Sequence, residues 1–285
     1  MMSDALSPQP TTPAAPAGPA APLASAASGA RIIAVTSGKG GVGKTFVSAN
    51  LAAALTRRGQ RVLVLDADLG LANLDVVLNL HPKITLHDVF TGKAAPDDAV
   101  IAAPGGFDVL LAGSGMVEYS RLTPEVRNQF LNVIQALTPR YDVVLLDTGA
   151  GISDVVLFSV SLASEVLIVA TPEPTSLTDA YADIKVLAMQ QKRQHVRMVI
   201  NQAARPGDGR AITSQLQQVL DRFVSAESGR PMRLIHMGDI PADPSVRDAV
   251  MRRQLLLLQT PGCPAALAIA QLANKIESTL LSPAA

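Results

Sequence analysis

Nine residues, Ser37-Gly38-Lys39-Gly40-Gly41-Val42-Gly43-Lys44-Thr45, constrain the fold of this chain more than any others. They follow the apolar run Arg31 to Thr36 and lead into a helix-forming stretch, Phe46 to Arg58, so a glycine-rich turn joins a strand to a helix. The four glycines let the backbone aim several N–H groups inward, and the helix start adds donors and a favourable dipole. Such a nest holds polyphosphate. In the pattern Gly-x-x-x-x-Gly-Lys-Thr, Lys44 reaches the β and γ phosphates and the Thr45 hydroxyl takes a place on Mg²⁺. Nucleotide contacts are therefore assigned to Gly38, Gly40, Gly41, Val42, Gly43, Lys44, Thr45 and Phe46.

The chain has 285 residues, long enough for a large core. Its 24 basic and 24 acidic side chains give no net charge with which to argue for nucleic acid. A single cysteine, Cys263, excludes an internal disulfide and a cysteine-built metal site. Residues 1–30 are nearly all Ala, Pro, Ser, Thr and Gly, with Asp4 as the one charge, and read as a disordered arm with neither the basic start nor the apolar core of a secretory signal. Residues 31–285 read as one domain, and the expected location is cytoplasmic.

Short, densely branched runs recur along that domain: 31–36, 61–66, 107–111, 141–146, 165–170, 196–200 and, less clearly, 232–237. Such runs suit strands buried on both faces of a parallel sheet. Helix-forming stretches at 46–58, 123–137, 176–191, 211–224 and 265–280 alternate with them. The expected fold is α/β: a single doubly wound, mostly parallel sheet with helices on both faces.

In such a sheet ligands gather beyond the carboxyl ends of the strands. Asp66 closes the second strand and Asp68 follows two residues later, so both carboxylates arrive beside the phosphate loop. One can hold a metal-bound water while the other orients an attacking water; a helix cap is the plainer reading of Asp68. Asp147 also ends an apolar run, the usual Mg²⁺-side partner of a phosphate loop, and Thr148 to Ser153 reads as a switch. Asn201 ends a later strand, where a primary amide either reads a base edge or caps a turn. Pro241 and Asp243 fall where they would form the far wall of the pocket. Lys39 is surplus to an ordinary phosphate loop; it is either a solvated lysine or a charge supplied to a facing subunit.

Taken together, Lys39 to Thr45, Asp66 to Asp75 and Asp147-Thr148-Gly149-Ala150-Gly151 resemble the deviant Walker A ATPases of the MinD/ParA class, nearest the flagellar number regulators FlhG and FleN. The resemblance implies a slow ATP hydrolase that forms an ATP-dependent homodimer. In that scheme Lys39 crosses to the partner's phosphates, Lys44 and Asp68 complete the catalytic set, and Thr45, Asp66 and Asp147 take the metal side. Glu173 approaches the opposite nucleotide or its lysine, while Asn201, Pro241 and Asp243 contact adenine. It also implies control of flagellar number or placement through a flagellar master transcriptional activator, with the FlhF GTPase as companion and a polar or transient inner-membrane location.

Two departures stand beside it. No Asp-Gln-Ala-x-x-Leu-Arg segment occurs in residues 1–30, which weighs against stimulation of FlhF. The last helical stretch is alanine-rich with little positive charge, which favours a structural helix over a peripheral membrane anchor. Three other readings compete: a ParA-like partitioner binding DNA nonspecifically through Arg247, Arg252 and Arg253 or through Lys192, Arg193, His195 and Arg197; a MinD-like membrane-cycling ATPase; and an iron–sulfur scaffold, which needs more cysteines than one.

Overall fold

The computed structural model describes residues 29–70, 72–113, 119, 121–205 and 207–281, so nearly all of the expected N-terminal arm lies outside the described residues. In chain order the elements are β1 (Arg31–Ser37), α1 (Lys44–Thr56), β2 (Val62–Ala67), α2 (Leu74–Leu78), α3 (Leu86–Phe90), β3 (Val100–Ala102), β4 (Asp108–Leu110), α4 (Pro124–Leu137), β5 (Val143–Ala150), α5 (Asp154–Leu162) and β6 (Glu165–Ala170). They continue with α6 (Pro174–Gln190), β7 (His195–Ala203), α7 (Asp208–Leu220), α8 (Ala226–Ser228), β8 (Arg233–Pro241), α9 (Pro244–Met251), α10 (Leu256–Gln259) and α11 (Pro264–Ile276).

Among the described residues one eight-stranded sheet runs in the order β3-β4-β2-β5-β1-β6-β7-β8. Every pair is parallel except β3 with β4. The branched runs become strands because both faces are covered. Along β1, Ile32 and Ala34 enter one core while Ile33 and Val35 enter the other; along β5, Val144 and Leu146 oppose Val143 and Leu145 in the same way. A period of two with apolar residues at every position is what a doubly covered sheet requires. β1 sits near the centre, between β5 and β6, so the phosphate loop opens at the middle of the sheet's carboxyl edge.

The structure adds elements that the sequence pattern did not reveal. β3 has only three residues and forms an antiparallel edge with β4. α5 carries Val155, Val156, Phe158, Val160 and Leu162 all buried, so it has no polar face to produce a helical period. Its start is fixed by Ser153, whose hydroxyl accepts from the Val156 N–H at 3.4 Å. The stretch expected as a switch is accordingly divided. Thr148 to Ala150 belong to β5, Gly151 (φ 79°) turns the chain, and half-exposed Ile152 leads to the cap.

α1 is buried along its whole length from Phe46 to Leu55, with β2, α2, α10 and α11 packed around it. α11 buries Ala265, Ala266, Ile269, Leu272, Ala273 and Ile276 in the same core as α1. Its apolar face is thus spent inside the domain, and Arg58 pairs with Glu277 just beyond its end. Among the described residues no helix is long and apolar enough to cross a membrane.

Candidate nucleotide site

A cavity of about 1050 Å³ lies at the carboxyl ends of the central strands. Adjacent strands deliver its chemistry in register: Asp66 of β2 is opposite Asp147 of β5, which is opposite Val35 of β1, two residues before the phosphate loop begins. Gly40, Gly41, Gly43, Lys44, Thr45, Phe46, Asp66, Asp68, Asp147, Asn201, Pro241 and Asp243 all line this cavity. Gly38, Lys39, Val42 and Glu173 are not part of its lining. Val42 is buried in the core, and Gly38 packs beneath α6.

The loop is built by glycine where side chains cannot go. Gly41 and Gly43 have φ of 80° and 93°, and a Cβ on Gly43 would stand 2.4 Å from the Asn201 Nδ2. That amide donates to the Val42 carbonyl at 2.8 Å, and its Oδ1 accepts from the Gln202 N–H at 3.0 Å. Asn201 therefore braces the loop from behind. Asp243 is similarly engaged: it accepts from Ser245 N–H at 2.9 Å, capping α9, and from Ala265 N–H at 3.1 Å, tying in the start of α11.

Asp66 and Asp147 are both buried. Burial pushes the Asp66 carboxyl well above the usual range, and the neighbouring Asp147 charge adds to it. Burial also raises Asp147, with Lys44 and the Thr45 and Ser48 hydroxyls acting against that rise. The Ser48 hydroxyl donates to Asp147 at 2.8 Å. Two adjacent buried carboxylates are costly even with Lys44 near Asp147, and carboxylates beside a threonine hydroxyl form the all-oxygen set that a hard divalent ion takes. The residues present fit Mg²⁺. Asp68 follows the strand, with its N–H on Asp66 Oδ1 at 3.2 Å; a Cβ on Gly149 would lie 3.4 Å from its carboxyl carbon, which places Asp68 over the end of β5.

Lys39 points away from its own cavity. Its ammonium donates to Glu173 Oε2 at 2.7 Å and to Thr175 Oγ1 at 3.0 Å, at the start of α6. Sequence reasoning placed Glu173 near the opposite nucleotide or its lysine; here Glu173 holds the lysine of its own chain. Ser48 and Thr175 were not singled out in the sequence. A serine one turn after the phosphate-loop lysine, in the mainly apolar helix α1, was the available signal for the first, whereas nothing local marked the second.

Asp183, on α6, is buried with its Oδ2 unpartnered, and burial together with Asp179 raises it to about 7. The raised carboxyl keeps its proton in the fold after the unfolded chain has lost its own. The penalty therefore grows as pH rises from about 4 to 7 and stays constant above. Asp183→Asn is expected to raise thermal stability at pH 8 by roughly 2–4 kcal/mol, with the gain shrinking as pH falls through 7. Thermal melts of both proteins between pH 5 and 8 check this, and a pH-independent difference would remove the account.

The basic strip considered at 192–197 does not form. Arg193 donates to the carbonyls of Val160, Ala163 and Ser164, and Arg197 and His195 pair with Glu165.

Comparison with known proteins agrees with this geometry. Residues 29–277 match the ParA family model, described as the NUBPL iron-transfer P-loop NTPase. The chain is 43% identical over 248 residues to the antiactivator FleN of Pseudomonas aeruginosa, covering 87% of this chain and 86% of FleN. It is 31% identical over 251 residues to the flagellum site-determining protein YlxH of Helicobacter pylori, covering 88% and 83%. Among solved structures it resembles the septum site-determining protein MinD complexed with Mg-ADP from Pyrococcus horikoshii, with a TM-score of 0.69 and 29% identity over 90% of this chain and all of that one. With a phosphate loop, two buried strand-end carboxylates and matches across the whole domain, the chain belongs to the ParA family of P-loop NTPases, as an ATPase of the MinD/ParA class that takes ATP and Mg²⁺.

Proposed function

We propose that this ATPase is a nucleotide-timed regulator of flagellar number or placement, acting as an ATP-dependent homodimer that restrains a flagellar master transcriptional activator. The similarity to FleN and YlxH, whose names describe an antiactivator and a flagellum site determinant, supports the cellular role. The observation that carries the switch is the position of Lys39: at the outer rim, held by Glu173 and Thr175, outside the cavity of its own chain. A lysine serving a facing subunit has to stand there.

In this reading the backbone N–H groups of the loop and Lys44 hold the β and γ phosphates, and Asp68 orients the attacking water. Mg²⁺, held by Thr45, Asp66 and Asp147, supplies charge neutralisation at the phosphates. Asn201 keeps the loop in shape, and Pro241 and Asp243 wall the base side. DNA binding through 192–197 has no support, because its arginines are engaged internally. A membrane anchor in α11 has none either, because that helix's apolar face is buried.

The test combines cells and purified protein. Deleting the gene is expected to raise flagellar number several-fold or displace the flagella. The purified chain is expected to retain the activator of the same organism with an ATP analogue and to release it with ADP. Unchanged flagella together with no nucleotide-dependent binding would sink the reading.

A further inference from the structure

α9 ends in an exposed surface that sets apolar side chains among basic ones. Val250 is 47% and Met251 76% exposed, and Met251 is the most exposed large apolar side chain among the described residues. Arg247 precedes them by three and four residues, which on a helix puts all three on neighbouring positions of one face. Arg252 and Arg253 follow directly, both exposed. No described carboxylate pairs with Arg247, Arg252 or Arg253; Asp248, four residues before Arg252, accepts only the latter's backbone N–H in the helix ladder.

Arg253 also occupies a left-handed position, φ 53°, at the close of the helix, where its N–H bonds the Val250 carbonyl and that of Gln254 bonds Ala249. Glycine or asparagine suits that backbone best. A helix C-terminus accounts for one basic residue near its end. It does not account for three, nor for arginine at the strained position, nor for a methionine left in water between them.

We propose that the α9 end is a docking surface for an acidic segment of a partner protein that carries large apolar side chains. Three guanidiniums that no described carboxylate meets offer forked donors to carboxylates, and Val250 and Met251 offer an adaptable apolar seat between them. A phosphate surface satisfies the arginines but gives the apolar pair nothing. A second copy docking α9 on α9 about a two-fold axis brings six arginines together, which like-charge repulsion opposes. Arg247 and Val250 also line the mouth of the nucleotide cavity, so the docking surface is continuous with the site whose occupancy changes during turnover.

The probe is a fluorescein-labelled helical peptide with glutamates along one face and leucines along the other, titrated by anisotropy into the full chain with Mg²⁺ and a non-hydrolysable ATP analogue. Micromolar binding is expected, weakened about tenfold or more by Met251→Glu and by the double change Arg252→Glu/Arg253→Glu. A peptide with lysine in place of glutamate is expected to prefer the doubly reversed protein. The exposed pair Arg230→Glu/Arg233→Glu serves as the control and is expected to bind like the unaltered chain. Four results would overturn the proposal: no binding by the unaltered chain; an equal loss in the control; stronger α9-dependent binding to random duplex DNA or phosphatidylglycerol vesicles than to the peptide; or loss of the ATP-dependent dimer on changing Met251.

Discussion

Replacing Lys39 by alanine is expected to leave ATP binding by the single chain nearly intact while removing the ATP-dependent dimer and lowering phosphate release by about 10³-fold. The size follows from what a charge supplied in trans contributes to phosphoryl transfer, at least that factor when it meets the spreading negative charge. Folding offers no competing explanation. The Lys39–Glu173 pair is half-exposed, and surface pairs of that kind contribute about 0–1 kcal/mol, so the altered chain remains folded. Asp68→Ala is the complement: if Asp68 orients the attacking water as proposed, the expected result is a dimer that assembles with ATP and then persists. Sedimentation velocity with ADP and with ATP·Mg²⁺, alongside phosphate release, separates the two. If Lys39→Ala dimerises and turns over like the unaltered protein, the trans lysine is gone and a plain monomeric NTPase remains.

Gly38→Ala is expected to cost about 3 kcal/mol of stability, roughly 6–12 °C in Tm for a domain of this size. A Cβ there would stand 2.3 Å from the Asp179 carbonyl carbon and 2.7 Å from the Ala180 nitrogen, both backbone atoms of α6. Neither can rotate aside, so the helix or the loop must shift by most of an ångström, and the mouth of the phosphate nest shifts with it. Gly40→Ala, two residues on, meets nothing within 4 Å and is expected to melt within about 0.5 kcal/mol of the parent. Equal melting of the two variants would show that α6 does not rest on the loop as described.

Much of this was legible in the sequence because it is local. Arg31 to Thr36, 61–66, 141–146 and 165–170 announce strands by their unbroken apolar interiors, and Asp66 and Asp147 stand at strand ends where a parallel sheet presents its chemistry. What was hidden depends on contacts between distant residues. Gly38 reads as part of a phosphate nest, yet in the fold its missing side chain makes room for α6. Asn201 reads as either a base-reading amide or a turn cap, and its bond from Nδ2 to the Val42 carbonyl, which braces the loop, joins residues 159 positions apart. Arg193 and Arg197 look like a solvent-facing basic run until the start of β6 and the end of α5 close around them. α5 itself escaped because a helix buried on all sides loses the polar stripe by which helices are recognised.

The neighbourhood of α1 and α11 has a consequence for how the protein comes into being. α1 carries the phosphate loop at its head, yet one of its flanks is supplied by residues some two hundred positions later, where Arg58 reaches Asn274 and Glu277. At the pace of a ribosome, those residues follow α1 by roughly 10–40 s. Early in that interval the loop residues are synthesised but lack their Asn201 brace, their helix has an apolar flank uncovered throughout it, and a sheet of largely non-local pairings is slow to close. The nascent chain is thus expected to gain a dependable hold on ATP only once α11 has packed on α1. A ribosome that stalls early releases a fragment without one, and such a fragment is a target for chaperones and proteases before it can compete for a partner.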